Sequence, residues 1–214
     1  MRPARLALQP EVALKRVLHV GCGSSRIAER HPHFQPADWE EVRLDIDPEV
    51  KPDIVADITD MKVVAAASCD AVYSSHNLEH LYPHQVPVAL AEFRRVLKPE
   101  GYALVILPDL RSVARRIADD KLDDVLYQSP SGPVAPLDVL YGFRPSLARG
   151  QLYMAHKTGF TAKTLAHAMA RSGFPTVACA AVEKRYEVWG IGFAREQSKE
   201  ERERAQRTLF RSRR

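Results

Sequence analysis

The sequence lacks the features that mark disulfide-rich, cysteine-zinc, membrane-spanning and repeat proteins. It has only three cysteines, Cys22, Cys69 and Cys179, and no CxxC pair. Scattered cysteines of this kind offer neither a disulfide framework nor a cysteine zinc site. No apolar run approaches the roughly 18 residues that suggest a membrane-spanning helix. No internal repeat or low-complexity tract is visible. These absences favour a globular protein without a membrane span.

The N-terminal residues and the charge distribution indicate where the protein is located and which partners it binds. Residues 1–10 lack the long apolar stretch of a secretory signal, so we expect a cytoplasmic protein. The net charge of +4 comes from residues 197–214, which hold seven basic and three acidic side chains. Because the remainder is neutral, no basic face for phosphates is indicated, and nucleic acid is not an expected partner. The tail itself is predicted to be a solvated, partly frayed helix, with Leu209 and Phe210 the only sign of docking.

The most informative segment is a short apolar run that breaks into two glycines. Val17–Val20 is typical of a buried strand, and Gly21-Cys22-Gly23 of a tight turn. Glycines let the backbone approach a ligand closely, and the helix start that follows offers unpaired N–H groups. Asp45 ends a second predicted strand twenty-two residues after Gly23. A carboxylate at that point can bind ribose hydroxyls, so the segment predicts a site for a nucleoside-bearing cofactor.

Two departures from other nucleotide fingerprints decide which cofactor to expect. Arg26 stands where a dinucleotide site places its third glycine, and no GxxxxGK[ST] phosphate loop occurs. At this point the chain resembles the class I S-adenosylmethionine-dependent methyltransferases, in particular the type 11 methyltransferase domain. The resemblance covers residues 16–110 densely and 156–195 loosely. Its motifs after the glycine turn are, in order, Leu44–Asp47, Val55–Ile58, Cys69–Leu81 with its Glu-His-Leu end, and Phe93–Tyr102.

The alternation of strand and helix patterns predicts a parallel sheet covered on both faces. The resemblance implies a Rossmann-like, doubly wound α/β fold, with a mostly parallel seven-stranded sheet and an antiparallel edge pair. We expect one domain over residues 1–196 and a basic tail over 197–214. Expected strands cover residues 17–20, 42–45, 53–56, 70–74, 102–107, 176–187 and 188–195, and expected helices cover 85–97 and 161–172.

A long insertion, residues 109–155, separates the fifth strand from the next helix. Its Arg111–Lys121 part has a helical pattern, whereas residues 128–133 and 141–145 are predicted to be loops. Insertions of this length often form lids or binding loops, although packing or dimerisation is the alternative. Its aromatic and basic side chains suit an organic acceptor with an anionic or hydroxylated part; they are Tyr127, Tyr141, Phe143, Arg144, Arg149, Tyr153 and Met154.

The resemblance assigns the cofactor contacts residue by residue. The turn Gly21, Cys22 and Gly23 would lie against the methionine and ribose portions. Asp45, beside Ile46, would accept hydrogen bonds from the ribose hydroxyls, with Asp47 as the second choice. The adenine would be recognised by the Asp57 carboxylate and the Ile58 N–H. Backbone contacts to the methionine part are expected at Ser74 and Ser75.

Two histidines are the predicted catalytic residues. His76 follows the fourth strand at the carboxyl edge of the sheet, and His156 lies where the chain returns from the insertion. Either can accept a proton from an oxygen or nitrogen nucleophile; Asp109 and Tyr153 are further options. His31, His33 and His167 belong to no convergent motif and are predicted to be surface residues. No metal is expected, because a set of Glu79, His80 and His84 matches no defined site.

The predicted function is methyl transfer from S-adenosylmethionine to an oxygen or nitrogen of a small molecule or a glycan- or lipid-linked intermediate. A DNA amino-methyltransferase is disfavoured, because the fourth strand ends in Ser74-Ser75-His76-Asn77 and not in an Asn-Pro-Pro-Tyr-like clamp. Two alternatives stay open: a non-catalytic partner subunit that binds the cofactor, and another Rossmann enzyme that uses a nicotinamide cofactor. A monomer or a homodimer is expected.

Overall fold

A seven-stranded sheet runs through the chain in the computed structural model, which describes residues 13–211. Residues 1–12 and 212–214, with the predictions made for them, lie outside this range. The strands of the central sheet are β1 (Lys15–Val20), β2 (Trp39–Asp45), β3 (Ile54–Val55), β4 (Cys69–Ser75), β5 (Leu97–Pro108), β8 (Thr176–Val182) and β9 (Glu187–Phe193). Two further strands, β6 (Tyr127–Ser129) and β7 (Gly132–Val134), form a separate hairpin.

The order of the central strands is β3-β2-β1-β4-β5-β9-β8. β1 to β5 pair in parallel, and β9 is antiparallel to both β5 and β8. The predicted fold class is therefore confirmed, including the antiparallel pair at one edge. The chain order reverses beside β1, and in open α/β sheets ligands bind outside the carboxyl ends of the strands at such a point.

Helices cover both faces of the sheet and its carboxyl edge. They are α1 (Ile27–Arg30), α2 (Val86–Val96), α3 (Leu110–Ala118), α4 (Pro136–Tyr141), α5 (Arg144–Ala148), α6 (Ala162–Arg171) and α7 (Lys199–Leu209). α2 buries Leu90 and Phe93 and tolerates Pro87 in its first turn. α6 starts at the Thr161 cap and is followed by Gly173 at φ +93°. None of the helices within residues 13–211 has the length and apolarity of a membrane-spanning segment.

The two faces of the sheet differ in their cores. One is mainly aliphatic and packs against α2 and α6, for example through Leu90 and Leu165. The other is rich in aromatic residues, with Phe34, Tyr73 and Trp189. Central strands such as β1 are buried on both faces, which is why they appear in the sequence as continuous apolar runs.

The C-terminal tail forms the predicted helix but is not simply solvated. Leu209, at the end of α7, is buried in the aromatic core, and Phe210 packs on Trp189 with ring centroids 5.9 Å apart. The Leu209 carbonyl accepts a hydrogen bond from His31 Nε2 at 2.8 Å. His31 is fully buried, contrary to its predicted surface position, and burial lowers its pKa to about 4.

The insertion is also more ordered than its sequence predicted. The expected loop over residues 128–133 is part of the β6–β7 hairpin, and residues 141–145 join α4 to α5. A third core of Val113, Val134 and Val139 holds these elements together. Before the insertion, Lys98–Gly101, which separates the expected helix over residues 85–97 from the expected strand over 102–107, lies within β5 at a shift in its register with β4. The expected strand over residues 176–187 ends at Val182.

Candidate active site

The glycine turn after β1 forms the floor of the candidate site. Gly21 and Gly23 adopt φ of +62° and +54°, a region that favours glycine. A Cβ on Gly21 would lie only 2.5 Å from the side chain of Asn77, which follows β4. The Gly23 N–H donates to an Asp45 carboxylate oxygen at 2.8 Å. The turn is therefore fitted between the ends of β2 and β4.

Arg43, which was not predicted from the sequence, stabilises this turn through hydrogen bonds to backbone carbonyls. Its buried guanidinium donates to the carbonyls of Gly23 and Val50, and to that of Lys51 at 2.8 Å. One cation thus joins the glycine turn to the segment after β2. The available signal was an arginine inside an otherwise apolar strand end, because a buried arginine needs acceptors for its donors.

A cavity of 520 Å³ opens above the turn and brings together six predicted cofactor residues. They are Gly21, Gly23, Asp45, Ile46, Asp57 and Ile58. Each Asp45 oxygen accepts one backbone N–H, from Gly23 at 2.8 Å and from Asp47 at 3.0 Å. A carboxylate has about four lone-pair positions, so Asp45 retains capacity for ribose hydroxyls. One Asp57 oxygen accepts the N–H and the hydroxyl of Thr59.

A second cavity, of 630 Å³, lies between the carboxyl ends of the strands and the insertion. Gly21, Gly23 and His76 line both cavities, so the two adjoin at the glycine turn. Cys22 and Ser75, which were predicted to contact the cofactor, line this second cavity. Ser74 is fully buried and lines neither. Other lining residues that sequence reasoning missed are His19, Arg30, Arg185 and Glu187.

His76 stands where the two cavities meet, between two carboxylates. Its Nδ1 lies 3.5 Å from Glu79 and its Nε2 lies 3.5 Å from Glu187. Burial lowers the pKa of His76, but the contacts with Glu187 and Glu79 outweigh it, and the pKa is raised overall. An imidazole held in its protonated form is poorly suited to accept a proton. The position of His76 agrees with the sequence analysis, but its charge state counts against a role as general base.

His156 faces the second cavity from the insertion side. Its Nδ1 donates to the Val139 carbonyl at 2.7 Å, which leaves Nε2 as an acceptor. Burial lowers the pKa of His156, so this ring is neutral at pH 7. Its ring packs edge-on against His80, with centroids 4.9 Å apart.

Four other predicted substrate or catalytic residues, including the exposed Arg149, have structural partners or positions outside the cavities. Asp109 is buried and caps α3, accepting from the Ser112 hydroxyl at 2.6 Å. Arg144 pairs with Asp138 and Asp123, each at 2.9 Å, within the insertion. Tyr141 is 62% exposed. By contrast, Tyr127, Phe143, Met154 and Tyr153 do line one or both cavities.

One further grouping beside the second cavity could hold a metal ion. One nitrogen or oxygen atom from each of Glu79, His80 and His156 lies within 4.8 Å of the other two. His84, considered with Glu79 and His80 in the sequence analysis, instead stacks on Tyr82 at the surface. The third member comes from 76 residues further along the chain than His80.

Comparison with known proteins agrees with this architecture. A solved S-adenosylmethionine-dependent methyltransferase from Archaeoglobus fulgidus is similar over 84% of this chain and 86% of its own, with 17% identity and a TM-score of 0.54. A Burkholderia thailandensis 1,6-didemethyltoxoflavin N1-methyltransferase, solved with S-adenosylhomocysteine, is similar over 84% and 71%, with 13% identity and a TM-score of 0.53. The chain therefore shares its fold with solved S-adenosylmethionine-dependent methyltransferases.

A family match covers part of the chain. Residues 18–105, from β1 into β5, match the methyltransferase domain family, which confirms the resemblance found in the sequence. A putative methyltransferase from Haloferax volcanii, solved in complex with its Trm112 activator, is similar over 87% of this chain and 85% of its own, with 15% identity and a TM-score of 0.54. No curated protein matches the sequence. The family match therefore covers the glycine turn, Asp45 and Asp57, within less than half of the chain.

Proposed function

We propose that this protein transfers a methyl group from S-adenosylmethionine to an oxygen or nitrogen atom of a small molecule or a glycan- or lipid-linked intermediate. The observation that carries the proposal is the pair of adjoining cavities. The 520 Å³ cavity contains the predicted nucleoside contacts, and the 630 Å³ cavity extends from the same glycine turn to the insertion. A cofactor in the first would present its methyl group to an acceptor in the second.

The cofactor would be held mainly by the ends of β1, β2 and β4. In this proposal the turn from Gly21 through Cys22 to Gly23 contacts its ribose and methionine parts, with Ser75 nearby. Asp45 accepts from the ribose hydroxyls with Ile46 beside it, and Asp57 and the Ile58 N–H take the adenine. Ser74, being buried, would support the end of β4 and would contribute no side-chain contact.

Methyl transfer is a displacement at a carbon bonded to a positively charged sulfur. The new bond forms between the acceptor atom and the methyl carbon, and the carbon–sulfur pair returns to sulfur as a neutral thioether. Because the leaving group needs no proton, alignment in the two cavities supplies most of the catalysis, up to roughly 7–11 kcal/mol. An acceptor O–H or N–H still loses a proton, and the Nε2 of His156 is free to take it.

Cofactor binding is the first test, and it requires no knowledge of the acceptor. In calorimetric titrations, S-adenosylhomocysteine should bind the wild-type chain and NADH should not. Asp45→Ala should weaken S-adenosylhomocysteine binding by about 100-fold, since two hydrogen bonds to a charged acceptor are lost.

Asp47→Ala is the matched control, because Asp47 is the neighbouring carboxylate on the same strand end. It should change the affinity by less than about threefold. If only Asp47→Ala weakened binding, the assignment of the ribose contact would be wrong by two residues. Binding of NADH in preference to S-adenosylhomocysteine would overturn the proposal. Tight cofactor binding without transfer to any acceptor would favour a non-catalytic partner subunit.

A further inference from the structure

Two segments of chain are fixed together at the wall of the acceptor cavity. The first is the short 3-10 turn Leu78–His80 after β4, and the second is the segment His156–Thr158 that returns from the insertion. The Glu79 carbonyl accepts the N–H groups of Lys157 and Thr158 at 2.8 and 3.2 Å. The main chain therefore holds the segment that carries Glu79 and His80 beside the segment that carries His156.

The Glu79 carboxylate in this cluster lacks hydrogen bonds. The residue is only 1% exposed, and neither carboxylate oxygen has a hydrogen-bond partner among residues 13–211. One oxygen has an ionic contact, with His76 Nδ1 at 3.5 Å. A buried carboxylate is costly unless donors or a cation compensate its charge. Beyond the ionic contact with His76, the lone pairs of both Glu79 oxygens are not used in hydrogen bonds, and one ligand atom of Glu79 lies within 4.8 Å of one ligand atom each of His80 and His156.

Both histidines of the cluster are oriented by backbone carbonyls. His80 Nδ1 lies 3.2 Å from the Ala155 carbonyl, and His156 Nδ1 lies 2.7 Å from the Val139 carbonyl. Donation from Nδ1 fixes the tautomer that has its lone pair on Nε2. The same arrangement is typical of histidines that bind metals, whose second ring nitrogen donates to a carbonyl or a carboxylate.

We propose that Glu79, His80 and His156 form a binding site for a divalent transition metal ion of the zinc type. Two imidazoles and one carboxylate are a donor set that zinc and similar ions use, and three protein ligands leave a coordination position open. Bonds of about 2.0–2.1 Å would bring the ligand atoms to roughly 3.4 Å of one another, so the side chains must close in from their present spacing.

The open coordination position would face the acceptor cavity, because Glu79, His80 and His156 all line it. There the ion would take water or a polar oxygen or nitrogen of the acceptor. This use of the metal rests on the proposed function, whereas metal binding itself does not. With the ion bound, the Nε2 lone pair of His156 would coordinate it and would no longer accept a proton. The ion would lower the pKa of the acceptor group, which would release its proton to water.

The test is a titration of the chelator-treated full chain with Co²⁺, followed by its visible absorption. Wild type should bind one ion per chain and develop the absorption of a low-symmetry site with nitrogen and oxygen ligands. Glu79→Gln, His80→Gln and His156→Gln should each weaken binding by at least about 100-fold, more than loss of an outer hydrogen bond does. His84→Gln and His167→Gln, which remove exposed histidines outside the cluster, should bind like wild type.

Thermal unfolding distinguishes a variant that has lost a metal-binding side chain from a variant that no longer folds. Without metal, Glu79→Gln should lose the ionic contact with His76 but still unfold in one cooperative transition, because the amide keeps the shape of the side chain and Glu187 remains beside His76. With Co²⁺, the melting temperature should rise for wild type and not for this variant. Absence of Co²⁺ binding in wild type, or affinity within threefold of wild type in all three cluster variants, would overturn the proposal. S-adenosylhomocysteine binding without Co²⁺ binding would remove the metal site alone, and the reverse result would remove the cofactor assignment alone.

Discussion

The ends of β1, β2 and β4, called the cofactor side, and the insertion both line the two cavities, but they are built by different means. On the cofactor side, main-chain geometry does the positioning: two glycines at positive φ, parallel strand ends in register, and a carboxylate tied to backbone N–H groups. The insertion is held by side chains, with Asp138 paired to Arg144 and a small apolar core around Val113. The first region tolerates little change at a few positions, whereas the second distributes its stability over replaceable contacts.

The largest expected loss of stability is in variants of the two glycines of the turn. These glycines differ in the space around the position of an added Cβ. Gly21→Ala places a methyl group against Asn77 in addition to forcing a left-handed conformation. It should lower the free energy of unfolding by about 3 kcal/mol, measured in urea. A methyl group on Gly23 would meet no atom of residues 13–211 within 4 Å, so Gly23→Ala should cost only about 1 kcal/mol.

The same pair separates folding from binding on the cofactor side. The methyl group of Gly23→Ala enters the space proposed for the cofactor, so S-adenosylhomocysteine affinity should fall at least about tenfold. Equal loss of stability in the two variants would contradict the view that Asn77 sets the requirement at Gly21. Unchanged cofactor affinity in Gly23→Ala would contradict the proposed position of the cofactor over the turn.

A smaller effect is expected when the insertion loses its main polar contact. Asp138 is buried and accepts the backbone N–H groups of Ala135 and Arg144 at 2.9 and 3.0 Å. Asp138→Ala leaves these donors without an acceptor and should cost about 2 kcal/mol. Protease cleavage within residues 109–155 should become faster, as measured by mass spectrometry of the fragments.

The control for Asp138 is Asp123→Ala, which removes the exposed partner of the same arginine. The Asp123 side chain is 71% exposed, and an exposed ion pair contributes little to stability. This variant should resist protease like wild type. If Asp138→Ala also abolished S-adenosylhomocysteine binding, the insertion and the cofactor side would form one cooperative unit, and the contrast between them would fail.

The difference between the cofactor side and the insertion also explains which features could be predicted from the sequence. Positive φ at Gly21 and a carboxylate after β2 restrict residue type locally, so the glycine turn and Asp45 were visible in the sequence. The hairpin over residues 127–134 and helices α4 and α5 depend on contacts between distant residues. Pro136 and Pro145 lie in the first turns of those short helices, a signal that the loop prediction overlooked.

The proposed metal ligands and Arg43 show why contacts between distant segments could not be predicted from the sequence. Glu79 and His80 are adjacent in the sequence, but His156 joins them only because the insertion returns to the end of β4. Arg43 stands out in the sequence as an arginine in an apolar strand end, but its partners are the backbone carbonyls of Gly23, Val50 and Lys51, which residue type does not reveal. Sequence patterns therefore locate groups that one segment brings together, and the fold is needed for groups that several segments supply.

The smallest effect is expected at Tyr153, where the two regions touch. Its hydroxyl donates to Asp47 at 3.2 Å, from the insertion to the segment after β2, and Tyr153 is 47% exposed. Tyr153→Phe removes one neutral donor to a carboxylate that has further access to water. It should weaken S-adenosylhomocysteine binding by about two- to threefold and leave the free energy of unfolding within about 0.5 kcal/mol. Tyr141→Phe, at an exposed position of the same insertion, should change neither quantity. A loss of affinity at Tyr153 as large as that in Asp45→Ala would make the insertion part of the cofactor site itself, and the division between the two regions would have to be redrawn.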